Sequence, residues 1–257
     1  MVNDTFSTPI TVVKLSGKAL SAGDKLDELF AALRAKPCLI VHGGGVEADD
    51  LLKRLGFTSK RLNGLRVTSA QELYYIAGAF GSCGRSLQAR AQKMGLKPLS
   101  LACSDYEFLK VSPLAPEYGE VGTCKPHSCR GIYDLFAHGF TPILCSLGLT
   151  PEGRLLNINA DDVAAAAAAA LDAKLVFLSD VPGVLDENGQ VIAHLDSAKA
   201  QDLIARGVIA GGMTVKVEQA LNFSRHSHQP IVIASIYDEN LSAILDDGCK
   251  LGSSIEA

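Results

Sequence analysis

Lys14, Asp161 and Lys216 bring two ammonium groups and a carboxylate to the ends of apolar or glycine-bearing runs: "VVKL", "LLNINAD" and "GGMTVK". Set around one anion, such a trio suits phosphoryl transfer, where the work is positioning and neutralising charge. Each residue also has a plain reading: a strand-end lysine with its charge in water, an N-cap aspartate, and a surface lysine. A cation in the first turn of a helix opposes the macrodipole, however, so Lys216 carries a small cost that a bound anion would offset. Arg66, in "NGLRVTSAQE", adds a planar fork suited to a carboxylate, with pairing to a neighbouring acid as the alternative.

Four turns with glycine stand beside these charges: "KLSGKAL", "HGGG", "SDVPGV" and "GGMTVK". Glycine there lets backbone N–H groups converge on an anion, and a following helix N-terminus reinforces them. One such turn alone is usually only a turn, and "VPGV" reads equally as a type II turn centred on Pro182 and Gly183. Four together, three of them running into helices, point to a phosphate-handling site. Neither G-x-x-x-x-G-K-[ST] nor G-x-G-x-x-G occurs. "HGGG" also serves as an oxyanion segment in esterases, but "LCSLG" around Ser146 has leucine where the nucleophile elbow needs its first glycine.

The elements that must position these groups follow from the apolar runs. "ITVVKL", "CLIVH", "TPILCS", "KLVFLS" and "PIVIAS" lack polar alternation and read as fully buried strands. Helices are expected over 24–35, 46–55, 69–93, 128–138, 161–172, 197–206 and 214–227, with "SAQE" from Ser69 as a capping box. Alternating strands and helices predict an α/β three-layer sandwich: a central, mainly parallel sheet, helices on both faces, and the ligand crevice beyond the strand carboxyl ends. Residues 96–127 break the rhythm and read as short antiparallel strands forming a lid or edge. Two lobes sharing one sheet are expected, 1–172 and 173–257.

The 257 residues, 47% hydrophobic and 20% charged with a formal charge of −4, describe a globular chain without a nucleic-acid or anionic-membrane surface. The alanine-rich run from Val163 is too short to span a bilayer, and the N-terminus lacks a leader pattern, so a cytoplasmic protein is expected. Seven cysteines in scattered positions imply reduced thiols. Cys124, His127 and Cys129 in "TCKPHSC" are three ligand types without a fourth, and a loop with incidental thiols is the better reading.

Taken together, "VVKLSGK", "IVHGGGVEADDLLKRLG", "LNGLRVTSAQEL", "LLNINADDVAAAAAAAL", "VFLSDVPGVLDENG" and "GGMTVKVEQAL" resemble, in order and spacing, the amino-acid kinase family, and within it the short, arginine-insensitive acetylglutamate kinases. The resemblance implies the amino-acid kinase fold and transfer of the ATP γ-phosphoryl group to the γ-carboxylate of N-acetyl-L-glutamate. It implies Lys14, Asp161 and Lys216 as catalytic residues, and Gly44, Gly45, Arg66 and Asn157 as the acyl-substrate site. For ATP it points to Gly17, Asp180, Val181, Pro182, Gly183, Val184, Leu185, Val208, Ile209, Ala210 and Met213. Mg2+ would ride on the ATP phosphates, with no protein cage. A sibling kinase acting on glutamate, aspartate, acetylaminoadipate or UMP, and a sensing module without turnover, are the alternatives.

Ser16 stands where the family often has a glycine, a costly substitution only if that residue needs positive φ. "LACSDYEF" lacks the glycine-rich character associated with its region. About nine residues precede the first strand, and the resemblance therefore implies a homodimer insensitive to arginine rather than a hexamer.

Overall fold

The computed structural model describes residues 9–227, 231–245 and 251–257. The first half of the chain runs β1 (Thr11–Leu15), α1 (Gly17–Leu20), α2 (Asp24–Leu33), β2 (Cys38–His42), α3 (Gly45–Arg54), β3 (Lys60–Leu62), β4 (Leu65–Val67), α4 (Ala70–Lys93), β5 (Pro98–Ala102), β6 (Leu109–Pro113) and β7 (Val121–Pro126). The second half runs α5 (Arg130–Ala137), β8 (Thr141–Cys145), β9 (Leu147–Leu149), β10 (Leu155–Ile158), α6 (Ala160–Leu171), β11 (Lys174–Ser179), β12 (His194–Leu195), α7 (Ser197–Ala205), α8 (Gly212–Ser227), β13 (Ile231–Ser235) and β14 (Ser253–Ile255). All five expected strands form, although Pro230 of "PIVIAS" lies outside the described residues.

Eight strands make one sheet in the order β12-β14-β13-β11-β1-β2-β8-β5, parallel except where β14 runs against β13. The missing polar alternation now has its cause. Successive residues of a strand face opposite sides, and here both sides are covered. Val12, Leu39, Val41, Leu175 and Phe177 enter the core beneath α5, α6 and α8, while Val13, Ile40, Val176 and Leu178 enter the one beneath α2. The register aligns Leu15 with His42 and Leu178, and His42 with Cys145, so the turns after β1, β2, β8 and β11 open along one edge.

Helix α4 begins as predicted. Ser69 Oγ accepts the Glu72 N–H, and the Glu72 carboxylate accepts the Ser69 N–H at 2.8 Å. Residues 96–127 require a correction. β5 is a parallel edge strand of the main sheet beside β8, and only β6 and β7 pair antiparallel, within a second sheet ordered β6-β7-β10-β9. β5 opens on Pro98, which an edge strand tolerates at its first position because no ladder N–H is needed there.

Candidate active site

Along the shared strand edge lies a cleft of about 430 Å³ lined by Lys14, Gly17, Gly44, Gly45, Arg66, Asn157 and Asp161, among others. Seven residues chosen from distant parts of the sequence thus meet in one cavity. One end is built from charges. Lys14 is only 14% exposed, and its Nζ lies 2.5 Å from Asp161 Oδ1 as an ion pair. The reading of Asp161 as an N-cap is corrected: Asn159 caps α6, its side chain accepting the Asp161 N–H at 2.9 Å. Asp161 is thereby free to serve Lys14.

Lys216 lies on α8 next to this pair, and Val215 and Gln219 of the same helix line the cleft. Burial, then repulsion from Lys14, holds the Lys216 ammonium below the ordinary lysine range, against the pull of Asp161 and Asp180. Asp180, just after β11, accepts a hydrogen bond from Lys18 Nζ at 2.5 Å, and that bond holds its carboxyl below the usual range. Lys216 therefore feels Lys14 and Lys18 as well as Asp161 and Asp180, and Asp162 adds a further carboxyl beside Asp161. Lys18 was not singled out from the sequence. Its signal was there, for it directly follows Gly17 in the first glycine-bearing turn.

The question raised by Ser16 resolves simply. Its backbone is extended, φ −72°, ψ 164°, and its Oγ accepts the Ala19 N–H as a helix cap. No positive φ is required at that position.

The other end of the cleft is built from hydrogen bonds. Arg66, in β4, is 7% exposed; its Nη1 donates to Asp49 Oδ1 at 2.5 Å and to Ser59 Oγ at 2.7 Å, and its Nη2 to the Gly45 carbonyl at 3.3 Å. The plain reading of this arginine holds, since it pairs with an acid, and the same side chain lines the cleft. Burial, the largest single effect, pushes the Asp49 carboxyl up, but the hydrogen bond and charge of Arg66, the Ser59 hydrogen bond and the Arg61 charge together hold it below its ordinary range. Asn157, 8% exposed on β10, donates Nδ2 to Thr68 Oγ1 at 3.3 Å. Asp49, Ser59 and Thr68 escaped the sequence reading because their spacing from Arg66 and Asn157 follows no local rule.

Between the two ends runs the glycine loop. Gly44 has φ +148°, and a Cβ there would come within 2.7 Å of the Phe80 ring of α4. Only glycine fits that close approach.

The residues expected to hold ATP fall around β11 and α8. Gly183, with φ +154°, departs from the type II value of about +80°. That plain reading is corrected: glycine is needed because a Cβ would come within 2.7 Å of Ser253 Oγ. Val184 and Ile209 are buried in the core, Val208 and Met213 pack against it, and Leu185 is exposed. The Val184 and Ile209 side chains thus belong to the core, and the backbone N–H and C=O of both residues are already paired within the protein. The loop reading of "TCKPHSC" is corrected: Thr123 to Pro126 belong to strand β7 and Cys129 stands at the start of α5, and burial pushes the Cys124 thiol up to about 12. Among the described residues no helix is long and apolar enough to cross a membrane.

The profile of the amino acid kinase family matches residues 9–235. Among solved structures, smu.665 from Streptococcus mutans UA159 is 31% identical and superposes with a TM-score of 0.80, over 96% of this chain and 98% of that one. N-acetylglutamate synthase from Neisseria gonorrhoeae, complexed with coenzyme A and N-acetyl-glutamate, is 21% identical with a TM-score of 0.83, over 97% of this chain and 59% of the synthase. Carbamate kinase from Giardia lamblia bound to AMP-PNP is 14% identical with a TM-score of 0.68, over 97% of this chain and 99% of that one. The last two likenesses concern the fold, which is the carbamate kinase-like α/β sandwich with its mainly parallel central sheet.

Proposed function

Because this chain belongs to the amino acid kinase family, we propose that its cleft transfers the γ-phosphoryl group of ATP to the γ-carboxylate of N-acetyl-L-glutamate, giving the acyl phosphate used in arginine synthesis. The observation that carries this reading is the buried Arg66 guanidinium, which shares one cleft with the Lys14–Asp161 pair. A fork for one carboxylate and a cationic seat for phosphate are what a dicarboxylic acyl substrate requires.

The attacking carboxylate is ionised at neutral pH, so no general base is needed. Lys14 and Lys216 neutralise the charge that develops on the transferring group, and Asp161 keeps the two ammonium groups from driving each other apart. Gly44 and Gly45 offer N–H groups to the acid substrate, Arg66 takes its free carboxylate, and Asn157 takes a further polar group. Residues 1–172 form the acyl-binding lobe. Residues 173–257 hold ATP through Asp180 to Leu185, Val208 to Ala210 and Met213, with Gly17 facing the phosphates. The three lysines Lys14, Lys18 and Lys216 fit a polyphosphate, and magnesium carried on it supplies further charge neutralisation when bound. The protein works as a homodimer.

The decisive experiment incubates the protein with Mg-ATP and hydroxylamine, which traps acyl phosphates as hydroxamates. Hydroxamate from N-acetyl-L-glutamate alone is expected. Product only from glutamate, aspartate or acetylaminoadipate would reassign the Arg66 and Asn157 end, and no product from any acid would overturn the reading.

A further inference from the structure

His42, the last residue of β2, is fully buried, and its Nδ1 lies 2.6 Å from the Gly43 carbonyl oxygen. A carbonyl can only accept, so Nδ1 carries the proton and Nε2 is left as an acceptor. That Nε2 is buried and finds no hydrogen-bond partner among the described residues. It faces α4 at Gly84, where a Cβ would come within 3.1 Å of Nε2 and 2.6 Å of Ser100 Oγ. Burial pushes the imidazole down to about 4, so the ring is neutral at neutral pH and keeps one tautomer.

The Gly43–Gly44 peptide is trans, and in a trans peptide the C=O and the N–H point in opposite directions. Drawing the Gly43 carbonyl onto the His42 ring therefore turns the Gly44 N–H away from that ring, and Gly43, Gly44 and Gly45 all line the cleft. This N–H has no acceptor among the described residues. Glycines on both sides of the peptide offer little torsional resistance, and the ring supplies the restraint.

We propose that His42 is a positioning residue: its Nδ1–H fixes the Gly43–Gly44 peptide so that the Gly44 N–H is presented to the acid substrate. The proposal rests on the reading of the glycine loop as the acid-binding edge of the cleft. His42 itself touches no substrate.

The test compares His42→Ala with His42→Asn, whose side-chain amide reproduces the Nδ1–H donor. The alanine variant is expected to raise the KM for N-acetyl-L-glutamate roughly tenfold while leaving the KM for ATP within about twofold, and asparagine to restore most of the loss. An unchanged acid KM in folded His42→Ala, an equal rise in both KM values, or no recovery in folded His42→Asn would overturn the proposal. Two readouts need no turnover. Imidazole 15N shifts of the wild-type protein should report a protonated Nδ1 and a bare Nε2, and the opposite tautomer would overturn the proposal whether or not a variant folds. The Gly44 amide resonance should move in His42→Ala and return in His42→Asn. If no acid is phosphorylated by the wild type, the proposed function fails, and these two spectra still decide the role of His42.

Discussion

The two ends of the cleft handle charge by different means. At the Lys14 end, side chains from β1 and α6, and from α1 and the turn after β11, meet as ion pairs within the electrostatic reach of Lys216 on α8, and Lys18 remains 73% exposed. At the Arg66 end, one guanidinium is buried and fixed by three acceptors, Asp49, Ser59 and the Gly45 carbonyl. Long flexible ammonium groups can follow a charge that moves during reaction. A pinned planar fork reads the shape of a group that stays still. Substitutions at the first end should therefore act on kcat, and those at the second on KM.

The largest break in this comparison comes from Lys14→Ala or Lys216→Ala. Either should lower kcat roughly 100-fold or more with the fold intact, because a transition-state charge partner is lost. Steady-state kinetics showing full activity in both variants would abolish the distinction between the two ends.

The glycine loop is tied to the buried neutral ring of His42, which makes its anchorage sensitive to acid. As pH falls below 6.5 the unfolded chain takes up a proton on this histidine, whereas the native state does so only near 4. Its contribution to stability is therefore whole above 6.5 and drains away below, by about 2 kcal/mol at about pH 5. Urea midpoints followed across this range should show His42→Asn lacking that share of the loss, and identical pH curves would refute the buried neutral ring.

Arg66→Lys sharpens the other side. An ammonium cannot keep both fork bonds, so the KM for the acid substrate should rise roughly tenfold with kcat little changed. A fall in kcat alone would place Arg66 functionally with the lysines. The smallest effect belongs to Ser16→Gly, which loses a cap but meets no strain; thermal unfolding should detect only a few tenths of a kcal/mol. A large gain in stability would mean that the serine backbone is strained after all.

The sequence by itself determined the five buried strands β1, β2, β8, β11 and β13, the helices α2 to α8 and the capping box at Ser69. Those features depend on short-range rules: runs buried on both faces, helical periodicity and hydrogen bonds across one turn. It also pointed to Lys14, the glycine loop, Arg66 and Asp161, whose motifs stand at or near strand ends, while Asn157 came only with the family resemblance; all of them line one cleft. Tertiary structure alone decided which partner each charge takes. Asp49 reaches Arg66 across 17 positions and Asp180 reaches Lys18 across 162, and no local periodicity encodes such distances. It also decided that β5 joins the main sheet, that Asn159 rather than Asp161 caps α6, and that Phe80 forbids a side chain on Gly44. Each of these is a competition between neighbours that are distant in the chain, and packing settles it only once the sheet has brought them together.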